Sequence, residues 1–166
     1  INAAADACVA GGAIYTEGNA VGAIVGSDFT ENGVDSPVYP NGGAIKVQFG
    51  GDATIKDCTF TENKAGLSGG AISVQAKNGA DCTVTVENCT FTNNHAQSGG
   101  AMYGGSAINC TFINNFGDYG GAMYGGSAIN CTFTRNNGVA GGAMYGGSAI
   151  NCTFTKNGGN AGGAMF

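Results

Sequence analysis

Charged residues are scarce in this chain of 166 residues: they make up 10% of it, and the net charge is −5. The chain therefore lacks the basic surface by which proteins bind nucleic acid. It has no run of 18 apolar residues, so no membrane-spanning helix is predicted, and no signal peptide is recognisable. No segment keeps the i, i+3, i+4, i+7 apolar spacing over a helical length, which argues against helices.

Glycine, by contrast, is abundant, with 32 residues, and 43% of the chain is hydrophobic. Disordered glycine-rich linkers lack such apolar content, so a folded chain is expected. The tripeptide Gly-Gly-Ala recurs at a constant spacing from Gly99 onward, and Phe-x-x-Asn occurs six times along the chain. Residues 1–90 repeat more loosely and carry insertions, whereas residues 91–166 form regular units.

Within each unit the apolar residues alternate with polar ones, which is typical of short strands. In the segment AINCTF, alternation predicts that Ile108, Cys110 and Phe112 point inward and that Ala107 points outward. A single unit of this length cannot bury its apolar side alone, but stacked units can. We therefore expect an all-β fold over residues 1–166, a single parallel β-solenoid with about 21 residues per coil in the regular part.

Stacking places equivalent residues in columns, and two such columns are predicted to be internal ladders. Phenylalanine rings would stack in a core ladder of Phe29, Phe60, Phe91, Phe112, Phe133 and Phe154. Asparagine amides would hydrogen bond to one another at a turn, in a ladder of Asn32, Asn63, Asn94, Asn115, Asn136 and Asn157.

Cysteine occupies a third repeated position, at Cys58, Cys89, Cys110, Cys131 and Cys152. The favoured interpretation is an interior column of small apolar thiols. Disulfides between coils or a metal–thiolate row are the alternatives, although no Cys-x-x-Cys spacing is present. No metal site and no cofactor are predicted.

Three outward columns are candidate surfaces. The sequence Asn-Cys-Thr creates possible N-glycosylation sites at Asn88, Asn109, Asn130 and Asn151, although glycans about 4.8 Å apart would collide. Threonine pairs such as Thr132 and Thr134 resemble the ice-binding faces of antifreeze solenoids, or are ordinary strand residues. An exposed aromatic strip is expected at Tyr103, Tyr124, Tyr145 and Phe166, suited to lateral packing of solenoids or to carbohydrate stacking.

Catalysis is not predicted, and there are no candidate catalytic residues. Polysaccharide-active β-helices need clustered carboxylates, whereas here the acids are scattered and the single His95 has no repeated acidic partner.

The repeats "GGAI…SDFTEN", "GGAI…CTFTEN" and "GGAM…CTFTRN" resemble those of chlamydial polymorphic outer-membrane proteins and of adhesin-like surface proteins of methanogenic archaea. The resemblance covers nearly the whole length. It implies a right-handed parallel β-helix located at the cell surface.

These observations favour a structural, extracellular protein, secreted and processed, that assembles head to tail with itself into a filament, sheath or surface layer. The alternative is the repeat region of a larger adhesin that binds cell-surface or host ligands; an ice-binding solenoid or a polysaccharide-active enzyme is more remote. The chain begins at Ile1 and ends at Phe166, and both are expected at the contact between subunits. Cys8 is placed near that contact and could form an inter-subunit disulfide.

Overall fold

The computed structural model describes residues 11–18, 21–34, 40–76 and 82–166, and every regular element in these ranges is a β-strand. In chain order the strands are β1 (Ile14–Glu17), β2 (Val21–Val25), β3 (Asp28–Thr30), β4 (Gly33–Val34), β5 (Ile45–Gln48), β6 (Asp52–Lys56), β7 (Thr59–Thr61), β8 (Lys64–Ala65), β9 (Ile72–Gln75), β10 (Val84–Glu87), β11 (Thr90–Thr92), β12 (Met102–Tyr103), β13 (Ser106–Ile108), β14 (Thr111–Ile113), β15 (Phe116–Tyr119), β16 (Met123–Tyr124), β17 (Ser127–Ile129), β18 (Thr132–Thr134), β19 (Asn137–Ala140), β20 (Met144–Tyr145), β21 (Ser148–Ile150), β22 (Thr153–Thr155) and β23 (Gly158–Ala161).

The strands assemble into parallel sheets in which each strand pairs with its equivalents one coil earlier and one coil later. The first sheet has the order β1-β5-β9-β12-β16-β20, the second β2-β6-β10-β13-β17-β21, and the third β3-β7-β11-β14-β18-β22. The fourth side holds a three-stranded sheet, β15-β19-β23, and the pair β4-β8. The predicted parallel β-helix is therefore confirmed, with six coils stacked in the first three sheets.

Coil length varies without disturbing the register of the third sheet. The equivalent residues Asn63 and Asn94 are 31 residues apart, whereas Asn94 and Asn115 are 21 residues apart. Phe91 nevertheless pairs in register with the phenylalanine of the preceding coil and with that of the following coil. Some of the additional residues of the longer coils lengthen strands of the first two sheets, since β9 has four residues and β12 has two. The columns of the third sheet still continue from the irregular half into the regular half.

The core is filled by columns of identical or similar side chains. Phenylalanine rings stack with centroids 4.8 to 4.9 Å apart and nearly parallel planes. The methionines Met102, Met123 and Met144 pair in register on the first sheet and are fully buried. Because burying a large apolar side chain contributes roughly 1.5–3 kcal/mol, these columns account for much of the stability of each coil.

Strict alternation gave the wrong orientation for two neighbouring residues. Ala107 is buried and Ile108 is only half-buried, the reverse of the prediction, and the equivalent Ile150 is 53% exposed. The cause is Asn109, whose φ of 53° lies in the left-handed region and forms a corner between β13 and β14. Because of this corner, the next inward residue after Ala107 is Cys110, three positions later instead of two.

Candidate functional site

Four cysteines of the predicted column are buried with 1% exposure, at Cys58, Cys89, Cys110 and Cys131, whereas Cys152 is half-buried. All five thiols are free. Each thiol donates to a backbone carbonyl, as Cys131 Sγ does to Ile129 O at 3.3 Å. Ser27 holds the equivalent position in the first coil and bonds to Val25 O. The structure thus places the thiols inside the helix, as hydrogen-bonded core side chains.

Neighbouring thiols change each other's pKa in opposite directions. The pKa of Cys110 is raised by hydrogen bonds with the side chains of Cys131 and Cys89 and by burial. The pKa of Cys131 is lowered, chiefly by its side-chain hydrogen bond with Cys110, and the backbone N–H of Cys110 also donates to Cys131 Sγ at 3.4 Å. Within the described ranges no group of three or more His, Cys, Asp or Glu residues is arranged to hold a metal ion.

The asparagine ladder lies inside the helix and forms a continuous hydrogen-bond chain. Asn115 is 1% exposed; its Oδ1 accepts from Asn94 N at 2.9 Å and from Asn94 Nδ2 at 3.0 Å. Its own Nδ2 donates to Phe91 O and to Asn136 Oδ1, both at 3.0 Å. The same pattern runs from Asn32 to Asn157. This ladder satisfies buried backbone groups at a corner where strand pairing is interrupted.

The asparagines of the four possible glycosylation sites are exposed at a second corner, with φ between 52° and 54°. They too form a chain: Asn88 Nδ2 donates to Asp57 Oδ1 at 3.0 Å, and Asn109 and Asn130 each donate to the preceding asparagine at 3.3 Å. Asparagine adopts left-handed backbone more readily than most residues. The left-handed backbone of this corner therefore explains why asparagine recurs there.

Threonine columns cover the outer face of the third sheet. Thr90, Thr111, Thr132 and Thr153 continue one column, and Asp28 occupies its first position, where its carboxylate accepts from Thr59 Oγ1. The second column is interrupted by Ile113, which pairs with Thr92 and Thr134. The face is regular along the helix axis, but it is not a uniform array of threonines.

The predicted aromatic strip is stacked and mostly half-buried, not exposed. Tyr103, Tyr124, Tyr145 and Phe166 follow one another with ring centroids 4.9 to 5.3 Å apart, and only Phe166 is strongly exposed, at 61%. Burial, followed by the neighbouring Tyr124, raises the pKa of Tyr103. Because each ring covers the face of the next, a sugar ring cannot stack on the inner members of the strip. In the early coils the same column holds Lys46 and Ser73, which are buried.

Another column of exposed corner residues was not predicted from the sequence. These residues directly precede the ladder asparagines, all have φ between 53° and 57°, and run in the order Glu31, Glu62, Asn93, Asn114, Arg135 and Lys156. We call this set the charged corner column. Left-handed backbone costs a residue other than glycine or asparagine about 1–2 kcal/mol. This column could have been recognised in the sequence, because the residue before each Asn of the Phe-x-x-Asn motif changes from acidic to amide to basic along the chain.

Beside this column lies a row that contains the single histidine. Lys64, His95 and Phe116 occupy successive coils, and the rings of His95 and Phe116 stack with centroids 5.2 Å apart. Burial, and secondarily the charge of Lys64, lowers the pKa of His95, while Asp118 acts in the opposite direction. Phe116 is 43% exposed.

Ile1 and Cys8, which were predicted to lie at an inter-subunit contact, are outside the described residues.

Comparison with known families agrees with this architecture. The family model described as the right handed beta helix region matches residues 2–138, and the chain belongs to that family. No curated protein and no solved structure gave a significant match. In the described part of the chain, no helix has the length and apolar character needed to cross a membrane.

Proposed function

We propose that the chain is a structural, non-enzymatic protein of the cell exterior, whose coils stack end to end with those of further copies into a filament, sheath or surface layer. The observation that carries this proposal is the self-complementarity of the coils. In the regular half each coil presents Met, Ala, Phe and Asn at the same positions as the coil beneath it, in register. In end-to-end stacking the first coil of another copy offers Phe29 and Asn32 in the same columns, and the apolar Ile14 and Ile24 in the columns of Met and Ala.

The contacts between coils inside the chain show what such stacking buries. Phe133, Cys131 and Met144 are each at most 1% exposed between their neighbouring coils. Burying such apolar surface stabilises by about 25 cal/mol per Å². Unpaired strand edges also favour the addition of further strands. The resemblance to repeat proteins of cell surfaces supports an extracellular location.

Electron microscopy and sedimentation of the native chain test this proposal. Replacing Cys152 and Phe154 by lysine places charge in the inward columns of the sixth coil, whereas lysine at Thr153 and Thr155 places the same charge on the outer face of that coil. We expect polymers from the native chain and from the outer-face variant, and their loss in the inward variant. A native chain that stays monomeric at high concentration would contradict end-to-end assembly.

The second candidate is the repeat region of a larger adhesin. The observation favouring it is a group of exposed apolar side chains on the fourth side, with Phe116, Tyr119 and Val139 at 43%, 44% and 49% exposure. Exposed apolar groups that lie together mark contact surfaces. A monomeric chain that adheres to cells, and loses adhesion when these three residues are replaced by serine, would favour this function.

A further inference from the structure

The charged corner column is acidic at one end and basic at the other. Its charges therefore complement those of an identical column that runs in the opposite direction. From the first coil to the sixth its residues are acidic, acidic, amide, amide, basic and basic, and all six side chains are exposed. Backbone hydrogen bonds between successive coils fix their order, as in Glu62 N to Thr92 O and Arg135 N to Thr155 O, both 3.0 Å. The centre of the pattern falls between Asn93 and Asn114.

The local backbone does not account for these charges. The other corner column of the third sheet, with the same left-handed φ, holds Gly26, Asp57 and then only asparagines. These are residue types that tolerate left-handed backbone. The charged corner column has asparagine only at its two central positions, and at the other four it has Glu, Glu, Arg and Lys, which tolerate the conformation less well. Residues that a turn disfavours point to a role outside the turn.

Within one molecule the charges at each end of this column repel. Glu31 and Glu62 lie on adjacent coils, and so do Arg135 and Lys156, which puts like charges about 4.8 Å apart at the backbone. The ion pair from Lys56 to Glu87, at 3.5 Å, lies in a different column. An outside partner with the opposite order of charge would reduce both repulsions.

We propose that a second copy of this chain is that partner, and that the two solenoids pack side by side in antiparallel orientation through their charged corner columns. A two-fold axis perpendicular to the solenoid axes places Glu31 opposite Lys156 of the second copy and Glu62 opposite its Arg135. Because the two columns have the same spacing between coils, each residue of one column lies level with its partner in the other. The contact is isologous and closed, unlike end-to-end stacking, and it does not depend on the proposed function.

The neighbouring row supplies apolar contact at the centre of the same surface. Under the same two-fold axis, His95 lies opposite Phe116 of the second copy, and Lys64 lies opposite its Asn137. Aromatic side chains at the centre of an interface contribute most of the binding free energy, whereas charges at the rim select orientation. A parallel arrangement would instead set each charged residue against its own copy, giving four like-charge contacts.

Disulfide trapping in the full-length chain tests the orientation. The variants Asn93→Cys and Asn114→Cys are prepared separately, one with a heavy isotope, then mixed and oxidised mildly, with the native chain as control for the natural thiols. We expect mixed 93–114 dimers to dominate. Predominance of 93–93 and 114–114 dimers, or no cross-link above the native control, would overturn the proposal. End-to-end stacking cannot yield the mixed product, because these central coils never meet in it.

Charge exchange tests the complementarity. The double variant Glu31→Lys/Glu62→Lys makes all charges of the column basic, and we expect at least about a tenfold loss of dimer affinity by sedimentation. Adding Arg135→Glu and Lys156→Glu reverses the whole order, and affinity should return. The double variant must keep the native circular dichroism spectrum. Equal affinity in the native, double and quadruple variants, or a native chain with no lateral dimer, would refute the assignment.

Discussion

Replacement of Asn115 by alanine tests whether the interior asparagine ladder holds the coils together. The substitution removes an Oδ1 that accepts from Asn94 N and Asn94 Nδ2, and an Nδ2 that donates to Phe91 O and Asn136 Oδ1. Asn136 Oδ1 retains the bond from the Asn115 backbone N–H, at 2.9 Å. Asn94 N therefore loses its partner and Phe91 O loses its side-chain bond, whereas Asn94 Nδ2 keeps its bond to Phe60 O at 2.9 Å.

The magnitude follows from Asn94 N and Phe91 O. Each buried polar group that loses a partner costs about 1–3 kcal/mol, so Asn115→Ala should lower the free energy of unfolding by about 2–6 kcal/mol. Domains have a total stability of about 5–15 kcal/mol. The variant should therefore lose a large part of its stability, or unfold locally around the coils that contain Asn94 and Asn136.

The adjacent residue provides the control. Asn114 is exposed and shares the corner, so Asn114→Ala should cost only the left-handed backbone preference, about 1 kcal/mol. Urea unfolding followed by circular dichroism measures both variants against the native chain. If Asn115→Ala is destabilised no more than Asn114→Ala, the ladder contributes little and this reasoning fails.

Three further predictions concern the core and its corners. Phe133→Ala should cost about 3–5 kcal/mol in urea unfolding because its ring is fully buried between two others, whereas Thr132→Ala on the outer face should cost little; similar losses would show that the inward and outward faces are wrongly assigned. Alkylation of the folded chain, counted by mass spectrometry, should modify the half-buried Cys152 well before Cys131, whose 1% exposure excludes the reagent although its pKa is lowered; equally rapid labelling would refute an interior thiol column. Gly121→Ala should prevent correct stacking and lower the melting temperature, since its Cβ would lie 2.2 Å from Gly142 O, and an unchanged melting temperature would contradict this packing.

The interior could be predicted from the sequence because stacking imposes the same packing requirement on equivalent positions of every coil. Phe112, Cys110 and Asn115 each have equivalents in successive coils. A position that keeps its residue type from coil to coil is under one physical constraint. The error at Ala107 and Ile108 has the opposite origin. A left-handed corner at Asn109 shifts the inward phase by one residue, and alternation alone cannot reveal where such a corner falls.

The exposure of surface residues was harder to predict, because it depends on whether neighbouring side chains cover them. The tyrosine strip was expected to be exposed, but rings that stack on one another bury their own faces. Lys46 looked like a surface residue of that column and is 2% exposed. The charged corner column was missed because Glu31 and Lys156 are unlike residues at equivalent positions, and a search for repetition passes over positions that vary.

The stacking of the coils has a mechanical consequence. In the regular half, each coil is held by backbone hydrogen bonds to the coil before it and the coil after it. A force that pulls the end of the chain away along the solenoid axis therefore loads the bonds of one coil at a time. Each released coil lengthens the chain by roughly 70 Å at full extension. Such a molecule yields in equal steps, and those steps would dissipate sudden tension while the remaining coils stay intact.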